Sequence, residues 1–313
     1  MDDPAGAQRD VDDPFTAECM ALGRASAAAG LRLDQKAPDA YRAAFSAYQG
    51  TISKLGYYDN KVLSLRLSAV RRGMLVDPVV NADFLEHITD GRCPVTLERF
   101  KLGGGPSPRN PSVDRLVNEV SYRAGNICVV SQRVNRAKAE LSFEDVLDLA
   151  QAQEHRADLS PTEWLRLASL MYGAWARAYK KADPYLLPLA AIPGPRMFTS
   201  TSQVVQLLLT RHFGPGGQHV AGTALWSGLT TRAGCDERRF IELRDALAEA
   251  FAAHRYAGDA WLPGQAFQVF VEWFEACRHV VVPEIEALLG THQAHHGDPT
   301  ALTALQPASR YQH

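Results

Sequence analysis

Between Arg92 and Lys138 the chain carries nine basic residues, Arg92, Arg99, Lys101, Arg109, Arg115, Arg123, Arg133, Arg136 and Lys138, against three acidic ones, Glu98, Asp114 and Glu119. A compact stretch of net charge +6 can neutralise phosphates, or it can simply be a solvated face. Asp114, Tyr122, Asn126 and Asn135 are interleaved with these cations. Read singly they are ordinary. Asp114 and Asn126 suit turns and strand ends, where such side chains bond backbone; Asn135 suits an exposed helix position, and Tyr122 packing in a hairpin.

The elements that must position these residues follow from pattern. Gly103-Gly104-Gly105-Pro106, with Pro108 and Pro111, forbids a continuous helix and marks an exposed loop. Ser112 to Val117 and Asn126 to Ser131 are β-type runs separated by a turn region with Asn118 and Gly125, which predicts a hairpin. Gln132 to Ala139 has no breaker and predicts a short helix. Ser142-Phe143-Glu144-Asp145 reads as a capped helix start, and Ser160-Pro161-Thr162-Glu163 as a capping box with proline in the first helical position.

The order Cys93-Pro94-Val95-Thr96, Pro111-Ser112-Val113-Asp114-Arg115-Leu116, Tyr122-Arg123-Ala124-Gly125-Asn126-Ile127 and Asn135-Arg136-Ala137-Lys138 resembles the HNH, or ββα-metal, endonuclease family over about residues 93–150. The resemblance implies that Asp114, on the first strand, and Asn135, on the helix, hold one divalent cation, Mg²⁺ or Mn²⁺. It gives Asn126 the place of the family's middle asparagine, which orients the catalytic loop. Arg115 stands at the position of the general base, and Lys138, one turn after Asn135, is placed to contact phosphate. The implied metal would stabilise charge on the scissile phosphate. Arg109, Arg123, Arg133, Arg136 and Lys138 are the expected nucleic-acid contacts, with DNA the expected partner.

Two positions depart from that pattern. The family carries histidine where this chain has Arg115, and an arginine does not accept a proton at neutral pH. No histidine lies between His87 and His155. Where many relatives carry two CxxC zinc knuckles, this chain has Cys93 with Thr96 and Ser131 with Val134, so no structural zinc is expected and apolar packing must replace it.

The 313 residues are 46% hydrophobic and 22% charged, which excludes a collagen-like, mucin-like or wholly disordered chain. A net charge of −2 confines any polyanion binding to a local patch. Five scattered cysteines without a CxxC pair, an acidic N-terminus and the lack of a long apolar run point to a cytoplasmic protein with no membrane span. Weaker signals are His292, His295 and His296, which suit adventitious metal binding, the turn-like Gly214-Pro215-Gly216-Gly217, and Cys277 with His279, an i,i+2 pair on different helix faces.

The fold expected is mainly α with a small β-hairpin and helix, an α+β arrangement. Residues 1–90 form a helical part with an acidic tail, 91–152 the ββα module, 158–290 a helical domain and 291–313 a flexible tail. The helix over Gln265 to Val282 is expected to end at Pro283. The leading functional expectation is a divalent-metal-dependent DNA endonuclease. The alternatives are a catalytically degenerate nucleic-acid-binding protein and a helical protein-interaction factor.

Overall fold

The computed structural model describes residues 13–103, 105–181, 185–194, 196–214 and 237–296. The acidic N-terminal stretch, Pro215-Gly216-Gly217, Cys235 and the chain from Gly297 onward lie outside the described residues. The chain divides into two compact units. One runs up to Thr89 and includes Glu119–Ala124; the other comprises Asp90–Asn118 and the chain from Gly125 onward.

The first unit is helical. Asp13 accepts a hydrogen bond from the Thr16 amide and Pro14 takes the first helical position, so α1 (Pro14–Ala28) starts where its orphan amides are satisfied. It packs on α2 (Asp39–Ser46) and α3 (Tyr57–Val70) around Cys19, Leu22, Tyr41, Leu63 and Val70. Gly23 is required at the α1–α2 contact, because a Cβ there would lie 2.3 Å from the Tyr41 carbonyl oxygen. After α4 (Ala82–Ile88), the segment Glu119–Ala124 completes the unit. Tyr122 forms a bridge with Val76, its carbonyl accepts from the Asp77 amide at 2.9 Å, and its hydroxyl accepts from Arg72 at 3.3 Å.

In the second unit, β1 (Pro111–Arg115) and β2 (Ile127–Ser131) pair antiparallel, from Pro111 opposite Ser131 to Arg115 opposite Ile127. The short helix α5 (Gln132–Lys138) follows β2 directly, and the Ser131 hydroxyl caps it by accepting from the Val134 amide. The expected capping boxes open α6 (Phe143–Gln151) at Ser142 with Asp145 and α7 (Pro161–Ala178) at Ser160 with Glu163. Where α6 meets α7, Tyr172 stacks on Phe143 and on Trp175, while Phe143 and Trp175 meet at a tilt. Helices α8 (Thr201–Phe213), α9 (Glu237–Ala253) and α10 (Gln265–His296), with a 3₁₀ turn at Ala257–Trp261, close over a core of Val204, Leu207, Leu247, Trp261, Phe270 and Trp273. The fold is thus α+β and mainly helical, with one two-stranded sheet among the described residues.

Pro283 does not end the last helix. It sits inside α10, which continues to His296. The proline ring is exposed, while Val281 and Ile285 on either side of it are fully buried in the core. Burial of that apolar stripe outweighs one missing amide hydrogen bond, which is why tertiary packing overrides the local stop signal. No helix among the described residues is long and apolar enough to cross a membrane.

Candidate functional site

Strand alternation puts Ser112 and Asp114 on the same face of β1, and α5 lies across that face. Asn135 and Lys138, three residues apart on α5, face them in the same order. Asn135 Nδ2 donates to Ser112 Oγ at 2.6 Å and to the Val113 carbonyl at 3.5 Å. The carbonyl contact requires a donor, so it is the amide nitrogen, and not the oxygen, that Asn135 turns toward the strand. Lys138 Nζ lies 3.4 Å from Asp114 Oδ2 and 3.5 Å from Oδ1, and donates to Asn118 Oδ1 at 2.9 Å.

This pair is almost completely removed from water. Lys138 is 0% exposed and Asp114 6%. Burial pushes the Asp114 carboxyl up to about 6, opposed chiefly by the neighbouring Lys138 ammonium and more weakly by Arg115. Asp114 Oδ2 is buried without a hydrogen-bond donor among the described residues. Cys128, the cross-strand partner of Asp114, has its thiol pushed well above the usual range by burial and, secondarily, by the Asp114 charge.

The donor set does not suit a divalent cation. The Asp114 carboxylate is already neutralised by an ammonium held in a fully buried position, and a second cation beside it would meet that charge at short range. Asn135 offers its amide nitrogen to the strand instead of an oxygen to the carboxylate. No group of three or more His, Cys, Asp or Glu side chains is placed to hold a metal among the described residues. Asp114 and Asn135 therefore share the hairpin–helix interface but serve different partners there.

Asn126 fixes the chain as it leaves β1. Its Oδ1 accepts from the Val117 amide at 2.9 Å and its Nδ2 donates to the Val117 carbonyl at 3.1 Å, while its own carbonyl accepts from the Leu116 amide at 2.8 Å. These bonds satisfy backbone groups that are otherwise buried without partners. Arg115 is buried and donates to the Asn118 carbonyl. Asn118, whose Nδ2 donates to the Leu141 carbonyl at 3.3 Å, thus takes both Arg115 and Lys138. Its sequence signal is that of any turn asparagine.

The expected cations divide into two sets. Lys138 is neutralised by Asp114. Arg133 is half-buried, with its guanidinium 2.5 Å from Glu163 Oε1 and 3.8 Å from Glu98, and it also donates to the Asp158 carbonyl. Arg109 and Arg136 in this unit and Arg123 in the other are exposed, without an ion pair among the described residues. Near the knuckle position, the Ser131 amide donates to Cys93 Sγ at 3.3 Å, and the Cys93 carbonyl accepts from the Leu97 amide at 2.9 Å. The turn is closed by its own backbone around the buried Cys93 and Val95.

A depression of about 330 Å³ elsewhere in this unit is lined by Glu249, His254, Asp259 and Gln265 among others, and no residue of the hairpin or α5 borders it. No family model matches this chain, and neither a curated protein nor a solved structure matches it.

Proposed function

We propose that this chain is a nucleic-acid-binding protein built on an HNH-like ββα scaffold that has lost phosphodiester cleavage. The observation that carries this reading is the buried Lys138 ammonium, 3.4 Å from the carboxylate that the family resemblance assigns to a metal. Lys138 supplies the positive charge from within the chain. Arg115, always charged and bonded to the Asn118 carbonyl, cannot take a proton from water. The exposed cations of the same segment remain free to meet phosphates.

The test is an assay on supercoiled plasmid with Mg²⁺ or Mn²⁺, run beside a binding titration at low salt. Salt-dependent binding without nicking is the expected result. Nicking by the wild-type protein that disappears in Asp114→Ala would overturn the reading in favour of a functioning metal-dependent nuclease.

A further inference from the structure

Ahead of the hairpin the chain folds back on itself as a short ribbon. The Cys93 amide donates to the Glu98 carbonyl at 2.9 Å and the Phe100 amide to the Gly91 carbonyl at 3.0 Å, so Arg92 and Arg99 stand opposite each other as a non-hydrogen-bonded pair. That is the closest side-chain approach an antiparallel ladder offers, and like charges directly opposite are destabilising there. Lys101 follows two residues beyond Arg99 and is exposed. Its amide donates to the Arg109 carbonyl at 3.0 Å, which brings a further cation alongside.

The acids of the segment have backbone and cation partners of their own. Glu98 alternates to the other side, where it lies 3.8 Å from Arg133, and the Asp90 carboxylate accepts from the Gly91 amide at 2.6 Å. Arg92 donates to the Leu97 carbonyl. Arg99, Lys101 and Arg109 are exposed and have no ion pair among the described residues. An anion laid along the ribbon would turn repulsion into attraction.

The described residues of this segment present no exposed ring. The large apolar side chain exposed on this segment is Leu102, and Phe100 is half-buried, so there is no platform on which unpaired bases could stack. Contact here is with a charged backbone. We propose that Arg99, Lys101 and Arg109 form the surface that grips the phosphate backbone of duplex nucleic acid, an inference that rests on the nucleic-acid-binding reading above and moves the primary contact from α5 to the ribbon.

The experiment titrates the full-length wild type and the triple variant Arg99→Ala/Lys101→Ala/Arg109→Ala with a duplex oligonucleotide and with one of its single strands, over a range of salt. Loss of three phosphate contacts should weaken duplex binding on the order of 10–100-fold at moderate salt and flatten the log–log salt slope by about 3. The triple variant should unfold at the same or a higher temperature than wild type, because crowded like charges are removed. A wild type that binds duplex while the triple variant binds equally well would overturn the ribbon as the contact surface and leave the general reading intact. Tighter binding to the single strand would overturn the choice of duplex. A wild type that binds neither at low salt would overturn the functional reading itself.

Discussion

Lys138 Nζ sits 3.4 Å from Oδ2 and 3.5 Å from Oδ1 of Asp114, a residue twenty-four positions earlier, and both residues are buried. The pair joins strand to helix, with Asn118 Oδ1 accepting a further hydrogen bond from the ammonium. A buried pair of this kind contributes little net stability against well-packed apolar side chains, because desolvation of two charges offsets their attraction. Losing one partner is another matter, since it leaves the other charged and buried.

Single truncation on either side, Asp114→Val or Lys138→Met, should therefore destabilise the second unit by about 3–5 kcal/mol. The double variant should recover most of that loss. Chemical denaturation midpoints of the three proteins provide the measurement. Additive losses in the double variant would mean that the two groups act independently.

The Asp114 carboxyl, held at about 6 against an ordinary value of 3.8, links stability to pH. The folded state keeps this proton where the unfolded chain has released it. The associated stabilisation is complete below about pH 4 and is lost as pH rises through about 6, amounting to about 3 kcal/mol. Carbon NMR of the Asp114 carboxyl should show a midpoint near that value. In Lys138→Met the midpoint should move higher, because the ammonium that favours the ionised form is gone.

Divalent metal should separate wild type from Lys138→Met. With the ammonium in place, millimolar Mn²⁺ should leave the unfolding temperature of the wild type unchanged. A ligand stabilises only a state that it binds. A rise in Lys138→Met alone would identify the lysine as the group that excludes metal, whereas an equal rise in both would place metal binding elsewhere.

Asn126→Ala removes both side-chain bonds to Val117 and leaves a buried amide and carbonyl unpaired. The expected loss is about 2–4 kcal/mol. Increased proteolysis near Val117 under native conditions would localise the effect. A stability within about 0.5 kcal/mol of wild type would show that the clamp carries no energetic weight.

Pro283→Ala should stabilise the last helix by about 1–3 kcal/mol, since the proline lacks a helical amide and its ring faces solvent, where nothing is lost by removing it. A higher denaturation midpoint checks this.

The order of elements was legible where local chemistry decides it. Ser142 with Asp145 and Ser160 with Glu163 spell their capping boxes within four residues, and the two β-type runs are bounded by the turn residues Asn118 and Gly125. Pro283 misled because its effect depends on which way the ring points relative to a core built from other helices. Lys138 misled more deeply. Among Arg136, Lys138 and Glu140 it reads as one charge on a solvated face, and its partners Asp114 and Asn118 lie more than a helix length away in sequence. Burial of an ammonium is a property of the assembled hairpin and helix, which no local window contains.

The chain leaves its first unit at Thr89, returns for Glu119–Ala124 and leaves again. The first unit is thus encoded in two pieces, with coding sequence for its neighbour between them. A gene fission or exon-like transfer at residue 90 would carry off Tyr122, the bridge partner of Val76, with the wrong half. The short return segment makes the first unit depend on chain that is made only after the opening stretch of the second.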